Sequence, residues 1–302
     1  MKKFLLRLLV YSAIIFAIDI AAGKAFSYMH AHAKGGDNGR NNYICNDVDA
    51  DILIFGSSRA MHHYNPILIS DSLGMSCYNC GQDGNGAILN YARFQLICQR
   101  YNPKLIIYDV TPEYDLLSGD DNHKYLGWLR AYYDMSGIAD IFESIDSTEK
   151  YKMLSQLYRY NTKFIQIVSD YIYPIQDEGI LGYRPIKGVI DPMRISKKDP
   201  IKYFKSDSLK LLYFRKFLEL SKNSKTVFVV SPYWHGKDSV FFKPIQNECV
   251  TNGYEFINYA NNSKYHHNML YFKDRNHLNS KGADEFTKDV ISQLKMIICA
   301  NK

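Results

Sequence analysis

Three residues far apart in the chain have the types and spacing of an activated serine nucleophile. Ser58 follows an apolar run that stops at Gly56, which predicts a strand ending in a tight turn that presents a hydroxyl group. Asp274 precedes His277 by one helical turn, so its carboxylate can orient the imidazole and fix its tautomer. A serine, a histidine base and an orienting carboxylate together supply the groups needed for nucleophilic catalysis.

Each of these patterns also has an ordinary structural explanation. A serine at a strand-to-helix turn commonly caps the helix that follows, and Asp274 with His277 could cap the last helix. The order of the pieces favours chemistry, because Ser58 follows the first predicted strand and the Asp–His pair precedes the last predicted helix. In a doubly wound parallel sheet both positions can fall at the carboxyl-terminal edge.

Short apolar runs and helical patterns alternate along most of the chain and are expected to position these residues. Runs that are nearly all apolar are typical of parallel strands covered on both faces. This alternation predicts an α/β fold, a three-layer α/β/α sandwich with a parallel sheet of about five strands. The predicted strands are 51–55, 75–79, 105–110, 226–230 and 254–257, and the clearest helical patterns are 87–100, 209–220 and 281–298.

The N-terminal segment, residues 1–23, has a basic start followed by an apolar run. Counted from Phe4, the run has the length of about 20 residues that a helix needs to cross a bilayer. The basic residues Lys2, Lys3 and Arg7 predict a cytoplasmic N-terminus and a body outside the cytoplasm of a bacterial-type cell, periplasmic or extracellular. A single-pass transmembrane anchor is favoured, and a cleavable signal segment is the alternative.

The remaining residues divide into a spacer and one domain. Residues 24–47 include a polar stretch rich in Gly and Asn, which predicts a flexible linker. The domain is expected to cover 48–298, with a helical insertion at about 116–205 that departs from the alternation. This insertion could form a wall over the active edge of the sheet or serve only for packing.

Composition excludes some classes of function. The net charge is +6, but the longest basic runs are pairs, so no nucleic-acid partner is expected. The six cysteines lack metal-ligand spacing, and Cys77 and Cys80 are expected to occupy a strand and its turn rather than to form a redox dithiol. Neither a metal nor a cofactor is therefore expected.

The motifs resemble those of the SGNH, or GDSL, hydrolase superfamily, which implies an SGNH/flavodoxin-like fold. The family's first block is a strand ending in Gly-Asp-Ser with a nucleophilic serine, and here Ser57 replaces the aspartate before Ser58. The last block, Asp-x-x-His, is matched by Asp274 and His277. The second block is an Asn-x-Gly-x-x-Gly turn, matched by residues 79–84, which implies that Gly84 donates to the oxyanion. The amide of Ser58, at the predicted start of a helix, can be a second donor of this oxyanion hole.

The third block departs from the family. Its Gly-x-Asn-Asp pattern supplies an oxyanion donor, but residues 109–115 contain no asparagine. Either Thr111 donates instead or this donor is missing, and loss of one such donor costs roughly 10²–10³ in rate. Arg59, Tyr233 and Trp234 are further candidates for substrate contact, although each could equally serve in packing.

The Gly-Ser-Ser form of the first block is similar to that of cell-envelope members, such as the alginate O-acetylation proteins and the D-alanyl-teichoic acid transfer protein. The resemblance implies an extracytoplasmic serine esterase or O-acyltransferase, acetylesterase-like, that acts on acyl groups of a surface glycan. Its partners would be an acylated polysaccharide, the membrane and a membrane acyl-transfer protein. A non-catalytic glycan-binding or envelope assembly protein on the same scaffold is the alternative, and a phospholipase is a third hypothesis.

Overall fold

The computed structural model describes residues 1–119, 121–173, 179–191 and 205–299, which fall into two compact units. The first unit contains 1–47 and 121–173, and the second contains 48–119, 179–191 and 205–299. The α-helices are α1 (Lys2–Ala31), α2 (Gly36–Asn42), α3 (Ser58–His63), α4 (Pro66–Leu73), α5 (Ala87–Cys98), α6 (Pro112–Asp115), α7 (His123–Leu126), α8 (Ala139–Ile145), α9 (Glu149–Lys152), α10 (Phe164–Ile172), α11 (Ser208–Leu220), α12 (Lys243–Thr251) and α13 (Ser280–Cys299). The strands are β1 (Ile52–Gly56), β2 (Cys77–Asn79), β3 (Leu105–Asp109), β4 (Lys225–Val230) and β5 (Glu255–Asn258).

The second unit is built on a parallel sheet of five strands in the order β2-β1-β3-β4-β5. This confirms the predicted α/β fold class, and the order is that of flavodoxin-like doubly wound sheets. The register pairs Gly56 with Asp109 and Asp109 with Val229. The loops that follow β1, β3 and β4 therefore leave the sheet side by side at its carboxyl-terminal edge.

Helices cover both faces of the sheet. Successive strand residues point to opposite sides, so the apolar strands present apolar side chains on both faces that must be buried. On one face the ring of Phe55 in β1 lies 5.5 Å from that of Phe94 in α5 and 5.4 Å from that of Phe217 in α11. On the other face Ile54 belongs to a buried cluster with Phe286 of α13. The central strands β1 and β3 are buried along their whole length.

In the first unit, α1 is 30 residues long, and no residue of its most apolar stretch is buried. The helix is long and apolar enough to cross a membrane, a property that signal sequences share. Helices from 121–173 pack against its carboxyl-terminal part, where the rings of Phe26 and Phe164 lie 4.8 Å apart.

Residues 24–47, expected to form a flexible linker, are mostly helical, with a short break at 32–35. α1 continues to Ala31, α2 follows, and a π-helix covers Tyr43–Asp47. The backbone and side-chain amides of Asn38 both donate to Asp170, at 3.1 and 2.8 Å. Contacts with a residue so distant in sequence hold this polar segment in place, and local composition does not reveal them.

The predicted insertion at about 116–205 is divided between the two units. Residues 121–173 belong to the first unit, whereas Leu117 bridges Ser206 within the second. Tyr183 and Ile190 lie in the buried core of the second unit. Residues 120, 174–178 and 192–204 lie outside the described part of the chain.

Candidate active site

Ser58 is positioned by the turn between β1 and α3. Gly56 has a φ of 142°, and a Cβ there would lie 2.7 Å from the carbonyl oxygen of Asp109, so only glycine fits this turn. Ser57 is the N-cap of α3, and its hydroxyl accepts from the amide of Arg59 at 3.3 Å. The capping role expected of a serine here is thus filled by Ser57, which leaves the Ser58 hydroxyl for another partner.

That partner is His277, whose Nε2 lies 2.8 Å from Oγ of Ser58 across 219 positions of sequence. Nδ1 of His277 lies 2.9 Å from Oδ2 and 3.0 Å from Oδ1 of Asp274. Because the carboxylate faces Nδ1, that nitrogen carries the proton and Nε2 is the acceptor for the Ser58 hydroxyl. The structure thus brings together the three residues that the sequence singled out.

The loop that carries His277 is shaped by Asp274 itself. Oδ1 of Asp274 accepts from the backbone amides of Asn276 at 2.8 Å and His277 at 2.9 Å. Burial raises the pKa of Asp274, but the hydrogen bonds from the His277 ring and these amides outweigh it, so the pKa lies below its usual value. The group therefore stays a carboxylate at neutral pH, the form that can orient an imidazole.

Two side chains of α3 hold this loop on either side of His277. The guanidinium of Arg59 donates to the carbonyl of Asn276 at 2.8 Å, and the amide of Leu278 donates to Nε2 of His63 at 3.0 Å. Since Nε2 of His63 accepts, Nδ1 carries the proton and donates to Oγ of Ser231 at 3.0 Å. Burial and the nearby Arg59 charge keep the pKa of His63 well below its usual value, so the ring is neutral.

Arg59, a candidate for substrate contact, is only 2 % exposed. Its guanidinium also donates to the carbonyls of Ser231 and Pro232, and its charged carbon lies 3.6 Å from the centre of the Tyr233 ring. Nε lies 3.7 Å from Oδ1 of buried Asp109. These contacts indicate that Arg59 mainly fixes the loops after β4 and before α13 relative to Ser58.

A cavity of about 90 Å³ opens beside the Ser58–His277 pair. Glu113 forms an ion pair with Lys237 at its wall, and Lys237 Nζ lies 4.9 Å from the centre of the Tyr233 ring. The Tyr233 hydroxyl is buried without a hydrogen-bond partner among the described residues. The lining consists of polar and aromatic residues: Ser58, Arg59, Thr111, Glu113, Tyr114, Tyr233, Asn276 and His277.

Thr111 occupies the place where the resemblance expects an asparagine. Its hydroxyl lies 2.7 Å from that of Ser57, and its amide donates to Asp115 Oδ2 at 2.7 Å. Burial raises the pKa of Asp115 to about 7. Thr111 lines the cavity, but its backbone amide is already bound, so only its hydroxyl could serve as a donor there.

Three predicted site residues do not line this cavity: Asp274, which lies against the far side of the His277 ring, and Trp234 and Gly84. Trp234 is 4 % exposed and its ring lies 5.6 Å from that of Phe272 in the core, so the structure gives it a packing role. Gly84 lies in a turn with a φ of 63°, which only a glycine adopts at low cost, but it is absent from the cavity lining. Its oxyanion role stays a prediction.

Sequence reasoning missed His63, Glu113, Tyr114 and Lys237. The spacing of Arg59 and His63, four residues apart at the start of a helix, was a signal that both side chains share one face. Glu113 and Tyr114 follow β3 at the active edge, where position alone could have marked them. Nothing local marks Lys237, which reaches the cavity wall only through its pairing with Glu113.

A group of residues that could hold a metal ion lies in the first unit, at His123, Asp146 and Glu149. Lys152 Nζ already lies 2.9 Å from Asp146 Oδ2 and 2.8 Å from Glu149 Oε1. Because this ammonium balances the carboxylates, the group does not indicate a cation site.

Comparisons with known proteins leave the family open. The chain matches no protein-family model and no curated protein. It resembles a solved structure from Streptococcus pneumonia, provisionally described as a platelet activating factor, with 12% sequence identity over 95% of this chain and 98% of that chain. The TM-score is 0.29, a value too low to carry an argument about fold or function.

Proposed function

We propose that the protein is a serine-dependent esterase or O-acyltransferase in which Ser58 is the nucleophile, His277 the general base and Asp274 the orienting carboxylate. The observation that carries this proposal is the 2.8 Å contact between Ser58 Oγ and His277 Nε2, with Asp274 on the opposite side of the ring. Ser58 and His277 are 219 positions apart in sequence, yet their side chains lie within the hydrogen-bond distance that proton transfer from a nucleophile to a base requires. The arrangement fits the resemblance to SGNH hydrolases, which remains part of the proposal.

The reaction would begin when the Ser58 hydroxyl attacks the carbonyl carbon of an acyl ester. His277 Nε2 takes the hydroxyl proton, and the imidazolium is stabilised by Asp274. Ser58 is the first residue of α3, where a backbone amide has no acceptor within the helix, so this amide can donate to the developing oxyanion. The alcohol then leaves with the proton from His277, and the acyl group stays on Ser58.

The second half of the reaction returns the enzyme to its starting state. Water or a hydroxyl group of another molecule attacks the acyl-Ser58 ester while His277 removes its proton. His277 then gives this proton to Ser58 Oγ as the bond between Ser58 and the acyl group breaks. Attack by water gives hydrolysis, and attack by a sugar hydroxyl gives O-acyl transfer. The triad serves both outcomes equally, so the acceptor that reaches the acyl-enzyme decides between them.

The size of the cavity favours a short acyl group. At about 90 Å³ it is much smaller than the roughly 300–1,000 Å³ of sites for drug-sized ligands. An acetyl group fits such a space, whereas a long acyl chain would need an extended apolar groove. This argument favours an acetylesterase-like enzyme over a phospholipase.

We further propose that α1 is retained as a single-pass anchor and that the body lies outside the cytoplasm, with an acylated glycan as its substrate. Asp19 in α1 accepts hydrogen bonds from Ser155, Gln156 and Leu157 of the same unit. Cleavage near residue 24 would remove these contacts, so they favour an anchor over a signal segment. N-terminal sequencing of the mature protein tests this, and a start near residue 24 would contradict it.

The catalytic proposal is tested by the release of p-nitrophenol from p-nitrophenyl acetate by the full chain in detergent. This assay needs only acylation of Ser58 and therefore detects an esterase and a transferase alike. We expect release by the wild type and by Ser72→Ala, an exposed serine on α4, but not by Ser58→Ala. Folded wild type with no more release than Ser58→Ala would instead favour the non-catalytic glycan-binding alternative.

A further inference from the structure

The rest of the first unit contacts the carboxyl-terminal part of α1, from Asp19 onward. Residues 1–18 of α1 are all exposed, and burial begins at Asp19. The Asp19 carboxylate accepts from Ser155 Oγ at 2.6 Å, from the Gln156 amide at 2.8 Å and from the Leu157 amide at 3.2 Å. These donors compensate a charge that would be costly beside an apolar helix surface.

A second contact one helical turn later fixes the same alignment. A Cβ on Gly23 would lie 2.3 Å from Cβ of Gln156, so the turn at 155–157 packs directly on the helix surface. Asp19 and Gly23 share one face of α1, because residues four apart lie above each other. The turn is therefore held at a defined height along the helix.

That height can be compared with the thickness of a bilayer. A hydrocarbon core of about 30 Å corresponds to about 20 residues at about 1.5 Å per residue. With Lys2 and Lys3 at the cytoplasmic boundary, an upright helix that enters at Phe4 leaves the core near residue 23. The turn at 155–157 then meets α1 at the outer boundary of the hydrocarbon core, and Asp19 lies about 6 Å deeper.

The residues just before this turn present apolar side chains to solvent. Leu154 is 73 % exposed and Tyr151 is 66 % exposed, and both immediately precede the turn that packs on α1. Leucine and tyrosine are also side chains that favour the membrane interface. Their location beside α1 makes their exposure understandable if lipid, rather than water, surrounds them.

We propose that the segment 151–154 dips into the outer-leaflet interface beside α1, so that the first unit binds lipid through Tyr151 and Leu154 in addition to its spanning helix. The inference rests on the proposed retention of α1 as a membrane anchor. It does not depend on the catalytic role of Ser58. The occupant of this surface is the headgroup and upper acyl-chain region of the bilayer.

The proposal is tested with the full chain in liposomes of phosphatidylethanolamine and phosphatidylglycerol. A bimane fluorophore is attached to single cysteines introduced by Tyr151→Cys or Leu154→Cys, in a background in which Cys98 and Cys299 are replaced by serine. The other cysteines are buried. Tyr173→Cys is the matched control, since Tyr173 is also 66 % exposed but follows the end of α10 at which Tyr171 packs on Tyr28, beyond the proposed membrane boundary near residue 23. Ser12→Cys, midway along α1, reports whether the helix is inserted.

We expect lipids with a nitroxide near the headgroup to reduce the fluorescence at 151 and 154 roughly twofold or more, as for an interfacial site. Aqueous iodide should quench the label at 173 but not those two. Quenching of 151 and 154 by iodide to the same extent as 173 would overturn the proposal, and protection from both quenchers would mean that a protein covers the segment instead. If the label at 12 is quenched by iodide, α1 is not inserted, and both the anchor and this proposal fail while the catalytic proposal is unaffected.

Discussion

The backbone amide of Leu278 donates to Nε2 of His63, 3.0 Å away, and this bond ties the loop that carries His277 to the helix that begins with Ser58. Arg59 makes the corresponding bond on the other side of His277, to the carbonyl of Asn276. Both side chains belong to α3, which begins with Ser58. The distance between Ser58 and His277 is therefore set by α3, because this helix holds the His277 loop on both sides of the histidine.

Replacing Arg59 with lysine is expected to weaken both folding and acylation. A lysine ammonium cannot bind the carbonyls of Ser231, Pro232 and Asn276 while lying flat on the Tyr233 ring. We expect Arg59→Lys to lower the free energy of unfolding by about 2–4 kcal/mol, measured by denaturant titration, and to slow p-nitrophenol release.

Arg215→Lys is the control for this variant, because Arg215 is exposed and pairs only on the surface with Glu248. It should change neither quantity measurably. Wild-type stability and rate in Arg59→Lys would contradict the positioning role of Arg59.

The neutral state of His63 predicts a dependence of stability on pH. Burial lowers the pKa of this ring in the folded protein, whereas the unfolded chain protonates it below about pH 6.5. The unfolded state then binds the additional proton, so this group makes stability fall as pH decreases, by up to about 1.4 kcal/mol per pH unit. His63→Gln should lose this part of the slope between pH 7 and pH 5, as measured by unfolding free energies, whereas His266→Gln on the surface should keep it. Equal slopes in wild type and His63→Gln would count against a buried neutral ring.

Asp274→Asn is expected to separate the orienting role of the carboxylate from its structural role. Asparagine keeps an oxygen that can accept from the amides of Asn276 and His277, so the loop should stay folded. It cannot stabilise the imidazolium, and it can favour the wrong tautomer of His277. The rate of p-nitrophenol release should fall by roughly 10²–10⁴ with little change in unfolding free energy. A rate within a factor of two or so of the wild type would remove Asp274 from the triad.

Gly56, in the turn before Ser58, should not tolerate replacement by a residue that has a Cβ atom. Alanine at Gly56 would place its Cβ 2.7 Å from the carbonyl of Asp109 and 2.8 Å from Cβ of Ala60, at a φ of 142°. We expect Gly56→Ala to reduce the free energy of unfolding by about 2–4 kcal/mol. Gly84→Ala is the matched control, because its φ is 63° but nothing lies within 4 Å of the added Cβ, and it should cost only about 1–2 kcal/mol. Equal losses in the two variants would contradict the steric argument.

The sheet and the Ser58–His277 pairing could be predicted because they depend on local signals. Apolar runs mark buried parallel strands, and in a parallel sheet the loop after β1, with Ser58, and the loop before α13, with His277, can reach the same edge. The same reasoning could not separate Tyr233, which lines the cavity, from Trp234, which is buried in the core. Adjacent loop residues point in different directions, and only the contacts of the folded loop decide which one reaches the site.

The helical structure of the polar segment 24–47 could not be predicted from its local sequence. Its Gly and Asn content is typical of flexible chains, yet Asn38 is 1 % exposed and bound to Asp170. A hydrogen bond over 132 positions leaves no local trace in sequence. The roles of Arg59 and His63 escaped prediction for a related reason, since their partners are mostly backbone groups of distant loops whose conformation the sequence does not specify.

The most direct test of the catalytic proposal is to label the wild-type protein with a fluorophosphonate and to locate the adduct by mass spectrometry of its peptides. This reagent phosphonylates a serine whose hydroxyl is activated by a neighbouring base. We predict a single adduct on Ser58, no adduct in Ser58→Ala or His277→Ala, and normal labelling in His266→Ala. An adduct on a different serine, or a folded wild-type protein that does not react at all, would contradict the assignment of Ser58 as the nucleophile.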